Sequence, residues 1–190
     1  MSADFAAARL NMVESQVRPS DVTDLALVDA IRAVARETLL PADKGFAAYA
    51  DAEVEYAPGR WMMRPRDAAK LMQSLQPREG EKALAIAAPF AAAVLGAMGV
   101  KVSRLDDGDL SAAPAGPFDL IICEGAVARV PDSWKAALAT GGRLGVVERN
   151  GPMGKALVHV RADDGVAARA VFDSAVPWLS GFEPVHGFAF

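Results

Sequence analysis

The stretch KALAIAAPFAAAVLGAMGVKVSRL, residues 82–105, decides the fold. Residues 83–87 form a short continuous apolar run, the pattern of a parallel strand covered on both faces. Pro89 suits the first turn of a helix, where its missing N–H costs nothing, and 89–98 reads as the helix returning across the sheet. Residues 100–105 supply the next strand. Such a unit crosses right-handed and turns the carboxyl ends of its strands toward a common ligand crevice. Residues 83–100 carry no charged side chain, about the lower limit for a membrane span. Pro89, Gly96, Gly99 and the abundance of alanine divide the run into strand and helix instead.

Toward the carboxyl end, 106–117 contains Gly108, Pro114, Gly116 and Pro117, and reads as a loop too short for another helix-strand-helix excursion. A strand follows at 118–123, then a helix over 131–140 that starts at Pro131 and stops at Gly141 and Gly142. A strand over 143–147 and a closing antiparallel pair, 156–161 and 168–172, complete the sheet. Phe172, Val176, Trp178, Leu179, Phe182, Phe188 and Phe190 then concentrate apolar surface that is expected to fold back on the body.

Toward the amino end, a helix over 6–17 is broken by Pro19, Ser20 and Asp21. A second begins near Asp24 with Leu25, Leu27, Val28, Ile31, Val34 and Ala35 on one face, and Pro41 stops its extension. Residues 47–56 have no decided conformation before the turn at Pro58 and Gly59. A helix anchored on Pro65 carries Ala68, Ala69, Leu71, Met72 and Leu75 at helical spacing. The expected architecture is α/β: a Rossmann-like mixed sheet with a missing or reduced strand-helix unit and an amino-terminal helical extension. We read 1–190 as one domain, with an extension over 1–78 and a shortened core over 79–190.

Composition agrees. The chain has 190 residues with 52% hydrophobic and 23% charged, which suits one folded domain and disfavours disorder. A net charge of −4 gives no global attraction to nucleic acid or an anionic membrane, and Arg60, Arg64, Arg66 and Lys70 read as solvated helix surface without a nucleic-acid motif. Cys123 is the single cysteine, which excludes an intrachain disulfide and a thiolate zinc cluster. His159 and His186 form no metal signature, so no metal is expected. Asp4 and Arg9 in an alanine-rich start do not make a secretory signal, and a cytoplasmic location is expected.

Met12-Val13-Glu14-Ser15-Gln16-Val17, Arg36-Glu37, Pro41, Ala48-Tyr49-Ala50-Asp51, the Pro65 helix, Pro117-Phe118-Asp119-Leu120-Ile121-Ile122, Pro131 and Gly141-Gly142-Arg143-Leu144 occur in order. Together they resemble protein-L-isoaspartate O-methyltransferases over nearly the whole chain. The resemblance implies an S-adenosylmethionine-dependent methyltransferase fold. It also implies methyl transfer from S-adenosyl-L-methionine to the isoaspartyl carboxylate of a damaged protein or peptide. A carboxylate is nucleophilic enough to need alignment more than a strong base.

Several positions depart from the family pattern. Where the family has a glycine-rich turn after the first core strand, this chain has Ala85, Ala87, Ala88, Pro89 and Phe90: Ala88 adds a methyl group and Pro89 restricts φ. Asp106 and Asp107 match the position of the acid that holds the cofactor's ribose, and equally make an exposed turn beside Gly108. A section carrying a strand and an adenine-facing loop is missing between Leu105 and Phe118. On the substrate side, Met63 replaces a hydroxyl residue, and Arg64 is a candidate for an anionic substrate group or for ordinary surface. Cys123, at the end of the strand over 118–123, and Glu124, just beyond it, are candidates to line the pocket, against buried packing for Cys123 and loop surface for Glu124. The expected function is an isoaspartyl methyltransferase relative impaired or inactive in methyl transfer. The alternatives are an active repair enzyme and a noncatalytic protein-interaction or homo-oligomerisation module built on the amino-terminal helices.

Overall fold

The computed structural model describes residues 4–185. Asp4 caps α1 (Phe5–Met12) by accepting the Ala7 N–H at 3.0 Å. The chain stays helical through a wider turn at Val13–Val17 and a tight turn at Arg18–Ser20, and Asp21 ends it at φ 63. Asp24 caps α2 (Leu25–Ala33) through the Leu27 N–H. The undecided 47–56 region leads into a hairpin, β1 (Val54–Ala57) with β2 (Arg60–Met62). Next come α3 (Pro65–Leu75), β3 (Lys82–Ile86), α4 (Pro89–Ala97) and β4 (Lys101–Leu105). The carboxyl half contains β5 (Phe118–Val127), α5 (Asp132–Ala136), β6 (Leu138–Arg149), β7 (Gly154–Ala162) and β8 (Gly165–Ser174).

The main sheet has six strands in the order β4-β3-β5-β6-β7-β8. The first four run parallel and the last two antiparallel, the mixed arrangement expected from the sequence. Residues 106–117 connect β4 directly to β5, so β4 is left as an edge. Alternation along the strands divides the core. Ala83, Ala85, Leu120 and Ile122 join the residues of α2, α3 and α4 in one cluster, whereas Leu84, Ile86, Ile121 and Cys123 join Leu110, Trp134 and Leu179 in another. Helices cover one face; a loop, the short α5 and residues after β8 cover the other. Met12, Val13 and Val17 belong to the first cluster, so the amino-terminal extension shares its core with the sheet.

Two expectations need correction. The helix expected over 131–140 ends at Ala136, because Leu138 is buried and pairs with Phe118 at the start of β6. The strand expected to stop at 123 continues to Val127, so Cys123 and Glu124 lie within it. Its pairing with β6 shifts register between Ile122 and Ala126, a bulge that re-aims the side chains inside it. Its far end gains a partner in the tail: the Ala126 N–H donates to Pro177 O at 2.9 Å and the Leu179 N–H to Ala126 O at 2.8 Å. Val176 and Leu179 are buried and Trp178 and Phe182 half-buried, as expected for a tail folded onto the body. His186, Phe188 and Phe190 lie outside the described residues.

Candidate functional site

In the sheet register, Ile86 stands beside both Leu105 and Cys123. The residues that follow, Ala87 and Asp106, therefore leave β3 and β4 at the level of Glu124, which lies within β5 where its pairing with β6 shifts register. This is the place where an open α/β sheet holds its ligand.

The β3–α4 turn is packed solid. Ala85, Ala87, Ala88 and Phe90 have no exposed surface, and Pro89 is buried at the head of α4. Ala87 donates its N–H to Leu105 O at 2.9 Å and takes φ +45. That conformation suits glycine and strains a residue with a Cβ. The backbone keeps a glycine-like path while its side chains fill the space beside it.

Glu124 is fully buried on the helix-covered face. The Ala91 N–H donates to its Oε1 at 2.7 Å and the Met63 N–H to its Oε2 at 3.0 Å. Burial pushes its pKa up, while Arg36 and the amides of Ala91, Met63 and Phe90 pull it back. Arg36 is likewise fully buried, donating to Ala48 O at 2.7 Å and to Met63 O, with its guanidinium 4.3 Å from the centre of the Phe90 ring. Burial lowers its pKa to about 10, so it stays charged at neutral pH. Arg36 was outside the residues that chemistry singled out in the sequence. Glu124 had one signal, a lone charge inside the apolar run 120–128.

Other candidates are placed differently from one another. Asp106 Oδ2 pairs with Arg104 Nε at 2.7 Å, and Asp107 is exposed. Asp106 Oδ1, Tyr56 Oη and Arg60 Nη1 are buried without a hydrogen-bond partner. The three are electrostatic neighbours: burial raises the Tyr56 pKa first, then the Glu124 and Asp106 carboxylates do, with Arg60 opposing. Tyr56 escaped the sequence reading because nothing there fixed the hairpin. Met63 has its side chain fully buried and its main chain tied to Glu124 and Arg36. Arg64 is engaged by Glu53 through two bonds of 2.7 and 3.0 Å. Burial, and then Glu124, pushes the Cys123 thiol well above its ordinary range, the opposite of what a nucleophile needs.

A cover spans the crevice. The Ser180 N–H donates to Gly59 O at 3.1 Å, the Ala128 N–H donates to Phe182 O at 2.7 Å, and Leu179 packs against Gly125. A Cβ on Gly59 would stand 2.4 Å from the Ser180 Cβ, so only glycine admits this approach. An open cleft of about 590 Å³, lined by Pro114, Gly116, Thr140 and Arg161 among others, lies at the opposite ends of β5 and β6. Among the described residues, no group of three or more His, Cys, Asp or Glu is placed to hold a metal ion, and no helix is long and apolar enough to cross a membrane.

No family model matches the chain. It is similar to the protein-L-isoaspartate O-methyltransferase of Methylorubrum populi, with 33% identity over 181 residues covering 81% of this chain and 85% of the relative. The protein of the same name from Methylorubrum extorquens is 32% identical over 184 residues, covering 83% and 80%. A solved protein-L-isoaspartate O-methyltransferase superposes with a TM-score of 0.75 at 18% identity, covering 92% of this chain and 67% of that one. A structure from Plasmodium falciparum assigned to the same enzyme class, in complex with S-adenosyl-L-homocysteine, gives a TM-score of 0.74 at 12% identity, covering 90% and 98%. The two structures establish the Rossmann-like methyltransferase fold with its amino-terminal helical extension.

Proposed function

This chain belongs to the protein-L-isoaspartate O-methyltransferase family, and from that premise we propose that it is a member in which cofactor binding and methyl transfer are impaired or lost. The observation that carries the reading is the β3–α4 turn, where Ala87, Ala88 and Phe90 are wholly buried and Ala87 takes a glycine's conformation with a methyl group attached. S-adenosyl-L-methionine would supply the transferable methyl group, and glycine in this turn would let the main chain approach it closely. The packed turn, the short 106–117 connection and the tail over Gly125 do not fit that cofactor, and no catalytic step is derived through it. Met63 offers no hydroxyl toward an isoaspartyl substrate, and Arg64 is already held by Glu53. One domain over 1–190 and a cytoplasmic setting belong to the same proposal, supported by the shared core and the lone buried Cys123.

A second reading, an active repair enzyme, is favoured by the unpartnered Asp106 Oδ1, Tyr56 Oη and Arg60 Nη1, since buried polar atoms without partners are what a bound polar molecule satisfies. A third, association through the amino-terminal helices, draws on the exposed side chains of Leu10 and Leu25. Light scattering over a dilution series tests it, and a constant monomer mass removes it.

Calorimetry with S-adenosyl-L-methionine, paired with methylation of an isoaspartyl peptide against its aspartyl counterpart, separates the first two. We expect no saturable heat and no isoaspartyl-dependent transfer. One-to-one binding at micromolar Kd, worth about 8 kcal/mol, would overturn the impairment reading.

A further inference from the structure

Helix α4 has no cap of its own. Ala88 stands at its N-cap position without a side-chain hydrogen bond, and Pro89 lacks an N–H. The free main-chain donors of a first turn, together with the helix dipole, attract anions. Here a residue of another strand answers them. Glu124 reaches from the β5 bulge to the Ala91 N–H at 2.7 Å and at the same time takes the Met63 N–H at 3.0 Å. Both carboxyl oxygens thus accept main-chain hydrogens, and no acceptor for a carboxyl proton is found among their partners, so the geometry holds the ionised form. Arg36, fully buried against Phe90 and bonded to Met63 O, supplies the opposite charge.

We propose that the Glu124 carboxylate is a built-in occupant of the crevice: it takes the donors at the head of α4 that a ligand's anionic group would otherwise take, and it ties Met63 to the sheet. The inference rests on the reading of impaired cofactor binding and deepens it. A crevice that supplies its own anion competes with any ligand for the same donors. A buried carboxylate in this position is tolerated only because those donors and Arg36 compensate its lost hydration. Its removal leaves the Ala91 and Met63 amides without their acceptor and Arg36 without the nearby opposite charge, around a space the shape of a carboxylate.

A small free carboxylate should refill that space. In the full-length chain, Glu124→Ala is expected to lower the thermal midpoint. Sodium formate, compared with sodium chloride at equal ionic strength, is expected to restore at least half of that loss along a saturable curve. The unaltered chain should not distinguish the two salts. Glu124→Gln, nearly isosteric, should also fall below the unaltered chain, because its NH2 group faces a main-chain donor, and formate should not help it. Equal loss in formate and chloride for Glu124→Ala, or a Gln variant as stable as the unaltered chain, overturns the proposal. Where Glu124→Ala does not fold in chloride, folding in formate alone supports it, and failure in both salts leaves the Gln comparison to decide. Micromolar binding of S-adenosyl-L-methionine by the unaltered chain sinks the impairment reading separately, while the formate comparison still decides what Glu124 does.

Discussion

Leu179 gives the tail its hold on the sheet, and Leu179→Ala measures that hold. The side chain has no exposed surface and belongs to the cluster of Ile86, Cys123 and Val127 on the face covered by α5 and the tail. Truncation removes three carbon groups, about 2 kcal/mol of transfer free energy at ~0.8 kcal/mol each. A cavity term adds to this unless the site collapses. Collapse is opposed on both sides: Gly125 has no side chain to move inward, and the bond from the Leu179 N–H to Ala126 O fixes the backbone at 2.8 Å. The expected loss is therefore about 3 kcal/mol, within the usual range of about 2–5 for buried Leu→Ala. Urea unfolding followed by tryptophan fluorescence reads it, and amide exchange at Ala126, Ala128 and Leu179 should accelerate more than at Leu84. Truncation before Trp178 should cost at least as much. A loss under about 1 kcal/mol with unchanged exchange would show that the tail rests on the sheet without bracing it.

Three further outcomes are expected. Ala87→Gly sets relief of left-handed strain, about 1–2 kcal/mol, against a lost buried methyl of about 0.8 kcal/mol and a looser unfolded chain of about 0.4–1 kcal/mol; stability should stay within about 1 kcal/mol of the unaltered chain, and a loss beyond about 1 kcal/mol, which the last two effects give by themselves, defeats the assignment of strain. Cys123, buried with its thiol pKa pushed up, should react with a disulfide reagent only as fast as the chain opens, so rapid labelling under native conditions contradicts the packing. For Asp67, which accepts from Ser174 Oγ at 2.9 Å, burial raises the pKa above its ordinary 3.8. The folded chain then binds the proton more tightly than the unfolded one, so this residue's contribution is complete below pH 3.8 and declines as pH rises through the folded value. Asp67→Asn should flatten that decline in urea midpoints taken across pH; an unchanged slope rejects it.

The parallel core was legible because apolar runs bounded by proline and glycine fix both period and length, as at 83–87 and 118–123. What escaped was pairing that depends on distant partners. The end of β5 extends because residues 176–182 come back to it, and nothing near position 124 announces them. The helix over 131–140 was overread because Gly141 and Gly142 look like a helix stop, whereas burial of Leu138 and its pairing with Phe118 recruit those residues into a strand. At the crevice, the residues of the β3–α4 turn stand in the sequence, but their complete burial and the φ of +45 at Ala87 do not. The Arg36–Glu124 arrangement could not be read there either, since charge alone does not reveal which of many ionic residues will be taken out of water.

The cover drawn over Ala126 and Ala128 has a consequence in time. Strand β5 leaves the ribosome some fifty residues ahead of the segment that closes on it, a wait of roughly 3–10 s at ordinary elongation rates of about 5–20 residues per second. Through that interval every nascent copy has β5 without the tail that seals its far end, and the seal forms only when Leu179 and Phe182 arrive. The far end of β5 is therefore completed late, after β6, β7 and β8 have all been synthesised.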